Sequence, residues 1–176
     1  MKYLIFLAAS ICLLICPAQA RDFSWADPKL TVQSDIPGDW SFEEKISEFG
    51  STLFIRAPGN YAYIALISFA ERGIATEQLS SLESMQEWTT YAHVKGGSKE
   101  ESKADLSRDQ LKRFAAERGK EIKYSWVNAA GDKGHTITRL LMIGGKPYEY
   151  QLYCTDVVFA KEGKRLVKFL DSLKIK

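Results

Sequence analysis

His135-Thr-Ile-Thr-Arg-Leu-Leu-Met-Ile143, then Gly144-Gly145, then Pro147-Tyr-Glu-Tyr-Gln-Leu-Tyr-Cys154 is the stretch whose reading decides the fold. The first run is rich in β-branched residues. The second alternates Tyr148, Tyr150, Leu152 and Cys154 against Glu149 and Gln151. Two such runs joined by Gly-Gly predict a β-hairpin. With Gly144 and Gly145 as the two central turn residues, Leu141 faces Tyr148, Arg139 faces Tyr150, Ile137 faces Leu152 and His135 faces Cys154. A longer turn slips the register by one residue and brings Leu140 and Met142 to the tyrosines instead. Apolar residues stand on both faces of the first strand, which points to a sheet covered on both sides.

Downstream of the hairpin, Leu166, Phe169, Leu170 and Leu173 recur at the spacing of one helical face, with Lys164, Arg165, Lys168 and Asp171 between them. That is an amphipathic helix suited to packing on the sheet.

Upstream, Ser107-Arg-Asp-Gln110 has capping-box spacing. Leu106 and Leu111 are placed as a hydrophobic staple, Phe114 and Ala115 continue the stripe, and Gly119 is placed to end the helix. Ile122, Tyr124 and Trp126 alternate with polar residues as a strand, and Asn128 to Gly134 is a turn. Residues 98–105 are charged and lack large apolar side chains, so they are expected to form a solvated loop. Thr76 is the expected cap of an earlier helix carrying Leu79, Leu82, Met85 and Trp88 and stopping by Gly96-Gly97. Residues 51–56 and 61–70 flank Ala57-Pro-Gly-Asn60, a type II turn signature, and predict a second hairpin. Its second arm is almost continuously apolar and is the expected central strand. Residues 30–33 are a candidate short strand, and Asp35 to Asp39 a turn.

Lys2, an apolar run from Leu4 to Ile15, Pro17 and Ala18-Gln-Ala20 are the parts of a cleavable secretory signal. The run is shorter than the roughly 20 apolar residues that span a bilayer. Bulky Ile15 before Cys16 argues against a lipid-acceptor cysteine. The expected division is residues 1–20 as signal and residues 21–176 as one domain, a size that supports a single core. Export to the periplasm or beyond follows, with no transmembrane span after cleavage. Cys154 is then the single cysteine of the mature chain, so packing rather than a disulfide must hold it.

The chain's 24 basic and 22 acidic side chains nearly balance, yet residues 21–94 hold 5 basic and 11 acidic groups and residues 95–176 hold 18 and 11. The two halves complement each other within one domain, or a basic face meets an anionic partner. Acids and bases nearly balance within residues 98–105, so neither a nucleic-acid nor a lipid site is expected there, and no nucleic-acid partner is expected. The two histidines, His93 and His135, sit in no ligand-spaced cluster, and no glycine stretch has phosphate-loop form, so no metal or other cofactor is expected.

Several of these segments resemble the family that joins PsbP, the Mog-type Ran-binding proteins and bacterial DcrB-like domains. The similarity lies in Ile36-Pro-Gly-Asp-Trp40, Ala57-Pro-Gly-Asn60, the hairpin Gly145-Lys-Pro-Tyr-Glu-Tyr150 and the closing Leu170-Asp-Ser-Leu-Lys-Ile175. It implies an α+β fold in which an antiparallel β-sheet is covered by helices on both faces, an α/β/α sandwich. Members serve as photosystem accessory subunits, GTPase binders, effector chaperones and envelope proteins, and the resemblance carries over no catalytic residue. With the export signal it implies a non-catalytic binding or accessory protein whose partner is another envelope protein or envelope component.

Arg139 and Tyr150 on the hairpin and Lys164 and Lys168 on the last helix are the candidate binding residues. Arg139 reads either as a clamp for an anion or as half of an ion pair at the sheet margin. Two rival functions are carried. Cys154 beside His135 would suit a cysteine-dependent hydrolase, against the simpler reading of Cys154 as a small buried hydrophobe. The abundant tyrosines and tryptophans would suit a carrier of an apolar ligand. Sequencing the N-terminus of the exported protein checks the first step: Arg21 is the expected first residue, an intact Met1 would overturn the compartment argument, and Cys16 would change its form to a lipid-anchored one.

Overall fold

The computed structural model describes residues 30–31, 40–47, 50–56, 62–68, 79, 81–172 and 174–175. The signal segment, the turns at residues 35–39 and 57–60, Thr76 and Leu173 lie outside them.

Strands β2 (Ser41–Ser47), β3 (Gly50–Arg56), β4 (Ala62–Ser68), β5 (Lys99–Asp105), β6 (Arg118–Val127), β7 (Lys133–Ile143) and β8 (Lys146–Thr155) form one antiparallel sheet in the order β2-β3-β4-β8-β7-β6-β5. Two short strands, β1 (Leu30–Thr31) and β9 (Lys174–Ile175), pair separately. Helix α1 (Leu82–Lys95) lies between β4 and β5, α2 (Arg108–Phe114) between β5 and β6, and α3 (Asp156–Ser172) after β8. The architecture is α+β. The strand at its centre is β8, however, with the apolar β4 beside it.

Gly144 and Gly145 take φ of 58° and 70°, the positive values at both central positions that a two-residue hairpin turn demands. The register follows: Leu141 opposite Tyr148, Arg139 opposite Tyr150, Ile137 opposite Leu152, His135 opposite Cys154. Successive strand side chains point to opposite faces, so Leu140 and Leu141 separate. Leu140 joins Ile122 and Tyr124 under Leu82 and Met85 of α1. Leu141 joins Ile55, Ile64, Ile137, Tyr148, Tyr150, Leu152 and Cys154 under Phe114 of α2 and Leu166 and Leu170 of α3.

Further expectations need correction. Helix α1 is capped by Ser81, five residues later than Thr76: the Ser81 hydroxyl accepts from the Ser84 amide, and the Ser84 hydroxyl accepts from the Ser81 amide. Trp88 is correspondingly 40% exposed rather than in the helix's core stripe. Residues 99–105 are an edge strand, not a loop. The strand is exposed at nearly every position and interrupted between Glu100 and Ser102, so its charges stay in water while its backbone pairs with β6. Gly119 does not end α2. The helix stops at Ala115, which is exposed and in the left-handed conformation (φ 52°), whereas Gly119 is buried in β6, where a Cβ would come within 2.7 Å of Leu106 Cδ1 and 2.9 Å of Leu141 Cδ2.

The box at Ser107 and Gln110 forms as its spacing predicts, with Leu106 buried and Leu111 partly so. Gly134 is the tightest position: a Cβ there would meet Trp126 at 2.2 Å and the Cys154 carbonyl oxygen at 2.4 Å, because the Trp126 indole crosses it to stack on Tyr153 with centroids 4.3 Å apart. Urea unfolding should show Leu106→Asp losing about 2–5 kcal/mol, Leu111→Asp less, Gly134→Ala about 1–3 kcal/mol and exposed Lys99→Ala under about 0.5 kcal/mol. Equal stability of Leu106→Asp and Lys99→Ala would refute the core assignment.

Candidate functional site

Arg139 lies well inside the sheet, on β7, and is 2% exposed, so it is neither at a margin nor available to clamp a ligand. Its Nε donates to Glu121 of β6 at 2.9 Å, its Nη1 donates to Asp171 of α3, and its guanidinium lies 5.6 Å from the centroid of Phe114. Buried arginine needs such partners, since an unpaired charge there would be prohibitive. Tyr150 is fully buried and packs edge-on against Phe114. Arg139 and Tyr150 thus hold α2 and α3 on the sheet.

Cys154 and His135 are cross-strand neighbours, as the hairpin register predicts. The surroundings are the reverse of what a nucleophile needs. Cys154 is wholly buried, and burial pushes its thiol up to about 12, with the Asp156 carboxylate adding to the effect. His135 points its Nδ1 at Asp156, 3.0 Å away, and its ring meets the Phe159 ring edge-to-face at 4.1 Å. The geometry supports Cys154 as a packing residue. Among the described residues, no group of three or more His, Cys, Asp or Glu side chains gathers where it could hold a metal ion.

Lys164 and Lys168 are exposed and come together on an open groove of about 1020 Å³ along α3. Lys161 completes the row, one turn before Lys164, and α2 contributes Arg113. Phe159, Ala160, Gly163 and Val167 supply an apolar lining, while Asp171 and Ser172 lie at the far end. The three lysines make no ion pair among the described residues, whereas neighbouring Arg165 has Glu162 at 3.9 Å. Helical spacing made the lysine row legible in the sequence. Arg113 carried no sign of belonging to it, because only the tertiary packing of α2 brings it there.

A second polar cluster, under α1, has weaker sequence signals. Glu149 is 2% exposed and accepts from the Thr89 hydroxyl at 3.0 Å. Gln151 donates its amide N–H to His93 Nε2 at 2.8 Å, which requires that nitrogen to be unprotonated; His93 stacks on Tyr124, whose hydroxyl meets Thr90. Burial pushes Glu149 up from 4.5 to about 7, with the Thr89 bond opposing it, and burial pushes His93 down from 6.5 to about 4.

The two groups act on stability in opposite directions. Glu149 keeps a proton that the unfolded chain releases, so its contribution is full below 4.5 and is lost as pH rises through about 7. His93 refuses a proton that the unfolded chain accepts, so its contribution is full above 6.5 and is lost as pH falls through about 4. Between 4.5 and 6.5 the slopes offset each other. Glu149→Gln should expose the histidine limb alone: its melting temperature should climb with pH between 4 and 6.5 more steeply than wild type. At pH 8 the unfolding free energy of the variant should exceed that of wild type by up to about 3 kcal/mol, from about 1.4 kcal/mol per pH unit. Parallel melting-temperature profiles for the two proteins would count against a buried, titrating Glu149.

No protein-family model and no curated protein matches the chain. Among solved structures, cyanobacterial PsbP (CyanoP) from Synechocystis sp. PCC 6803 is similar at a TM-score of 0.62 and 10% identity, over 94% of this chain and 97% of that one. PA94, a protein of unknown function from Pseudomonas aeruginosa, gives 0.49 at 10% identity over 86% and 94%. LpqN, involved in cell envelope biogenesis of Mycobacterium tuberculosis, gives 0.42 at 13% identity over 90% and 91%. The chain has the PsbP-like fold.

Proposed function

We propose that this chain is an exported accessory protein of the cell envelope, periplasmic or secreted, that performs no chemistry and engages another envelope component through the outer face of α3. The observation that carries the reading is the groove: three lysines without ion pairs among the described residues and an apolar lining, on a helix anchored from beneath. The fold agrees with an accessory role only as analogy, since one fold serves many functions. The N-terminal signal composition supports export, and no helix among the described residues is long and apolar enough to cross a membrane. Cys154, the one candidate nucleophile raised by the sequence, is held as an inert buried thiol.

The test uses photo-crosslinking in intact cells from residues placed at Lys168, in the groove, and at Lys99, on the exposed β5 edge. Adducts are expected from position 168. They should weaken when Lys161 and Lys164 are both changed to Glu and when external salt rises, because exposed charges are screened within about 8 Å at physiological ionic strength. Equal adducts from both positions, or adducts indifferent to the charge reversal, would remove α3 as the docking face.

A further inference from the structure

We propose that the α3 groove binds a single anionic acyl chain, such as a fatty acid or a single-chain lipid with an acidic head. The inference rests on the assignment of α3 as the docking face and adds what chemistry that face selects. The lining runs from Phe159 to Ser172, about 20 Å of helix at 1.5 Å per residue, so it is a trough rather than a round pocket. Its volume of about 1020 Å³ is at the upper end of the usual range for small-molecule sites.

Among the described residues, the polar side chains of the lining are mostly cationic. Phe159, Ala160 and Val167 offer no hydrogen-bonding side chain. Asp171 gives its Oδ1 to Arg139, and the Ser172 hydroxyl donates its proton to the Phe169 carbonyl at 2.7 Å, so Asp171 Oδ2 and Ser172 Oγ are left as acceptors at the far end of the lining. Along the rest of it the polar side chains a ligand meets are cationic: Lys161, Lys164, Lys168 and Arg113, the last with its Nε already donating to the Asp109 carbonyl. A glycan or a peptide backbone presents donors as well as acceptors along its whole length and would find side-chain acceptors only at that one end. A small inorganic anion would leave the apolar lining wet. An acyl chain ending in an acid satisfies both parts, with its hydrocarbon along Phe159, Ala160 and Val167 and its charge among the lysines. The lysines also gain by it, because like charges three and four residues apart on a helix repel until an anion joins them.

The test is titration calorimetry of the full-length mature protein with decanoate below its micelle concentration, with decanol as the uncharged chain and butyrate as the short anion. One decanoate per protein is expected, with decanol and butyrate each at least tenfold weaker. A Lys164→Glu, Lys168→Glu double variant should lose at least tenfold for decanoate and keep its decanol binding. Ala160→Phe, at an exposed position, should fill the trough and weaken both ligands; unchanged circular dichroism and melting temperature would verify that each variant folds. Butyrate binding as tightly as decanoate would overturn the proposal as a mere anion patch. Failure of decanoate beside salt-sensitive attachment to phosphatidylglycerol vesicles would overturn it in favour of membrane-surface binding. The two readings separate cleanly: crosslinks from position 168 without decanoate binding would sink the acyl ligand and leave the docking face. Saturable decanoate binding without those crosslinks would uphold the ligand and remove the larger partner.

Discussion

A strand's side chains alternate faces, so whatever sets the register of β7 against β8 decides the contents of both cores at once. Here that constraint is the turn at Gly144 and Gly145, where two successive positive φ angles close the hairpin in two residues. The pairing it enforces puts Arg139, Ile137 and Leu141 on the side of α3, and Leu140, Thr136 and Thr138 on the side of α1. A slip of one residue would exchange these sets. Arg139 would then leave Glu121 and Asp171, and Leu140 would be drawn from beneath Leu82 and Met85. Because β8 is also the central strand, the same register passes on to β4 and β3.

The two covers are held differently. Over the α3 face the core is broad and apolar, from Ile55 to Leu170, with Arg139 a buried charge in its midst. That arginine adds little net stability if its desolvation is set against its two ion pairs, but removing either acid would strand a buried cation. Its effect is to fix position: it joins β6, β7 and the last turn of α3. Over the other face, α1 buries few apolar side chains, and its second half meets the sheet through Thr89, Thr90 and His93. Each of those contacts is directional, and two of them, to Glu149 and at His93, involve groups that titrate between about 4 and 7, so α1 is the cover more responsive to pH.

Where local chemistry determined the outcome, the sequence was readable. Paired glycines between β-rich runs allow few turns, and Ser107 with Gln110 closes a box without help from distant residues. The misreadings arise where tertiary context competes with a local signal. Gly119 resembled a helix stop, yet its missing side chain serves the close approach of Leu106 and Leu141. The charges of residues 99–105 suggested a loop, but an edge strand needs only its backbone to pair and tolerates charged side chains. Ser84 in place of the usual Glu or Gln hid the true start of α1. Glu149 and Gln151 alternate with the apolar residues of β8, a pattern that by itself does not say which of them is buried. The burial of Glu149 was implicit once both faces of the hairpin carried apolar residues, since a centrally placed strand under two covers leaves little of either side to water.

That same asymmetry bears on where a partner can act. A surface that must present charges at fixed spacing needs rigid support, and α3 receives it from Leu166 and Leu170 beneath and from Asp171 at its last turn. Exposed lysines on a frayed or weakly docked helix would spread over many positions and lose the benefit of convergence. On α3 they stand at three positions of one face, with Arg113 brought alongside by α2, which is itself seated through Phe114. The outer face of α1 also exposes large side chains, Tyr91 and Val94, but the second half of that helix is seated on the sheet through polar contacts to Glu149, Gln151 and Tyr124 rather than through a broad apolar core. The buried arginine, unavailable to any ligand, therefore supports the proposed binding face all the same, because it holds the helix on which that face is built.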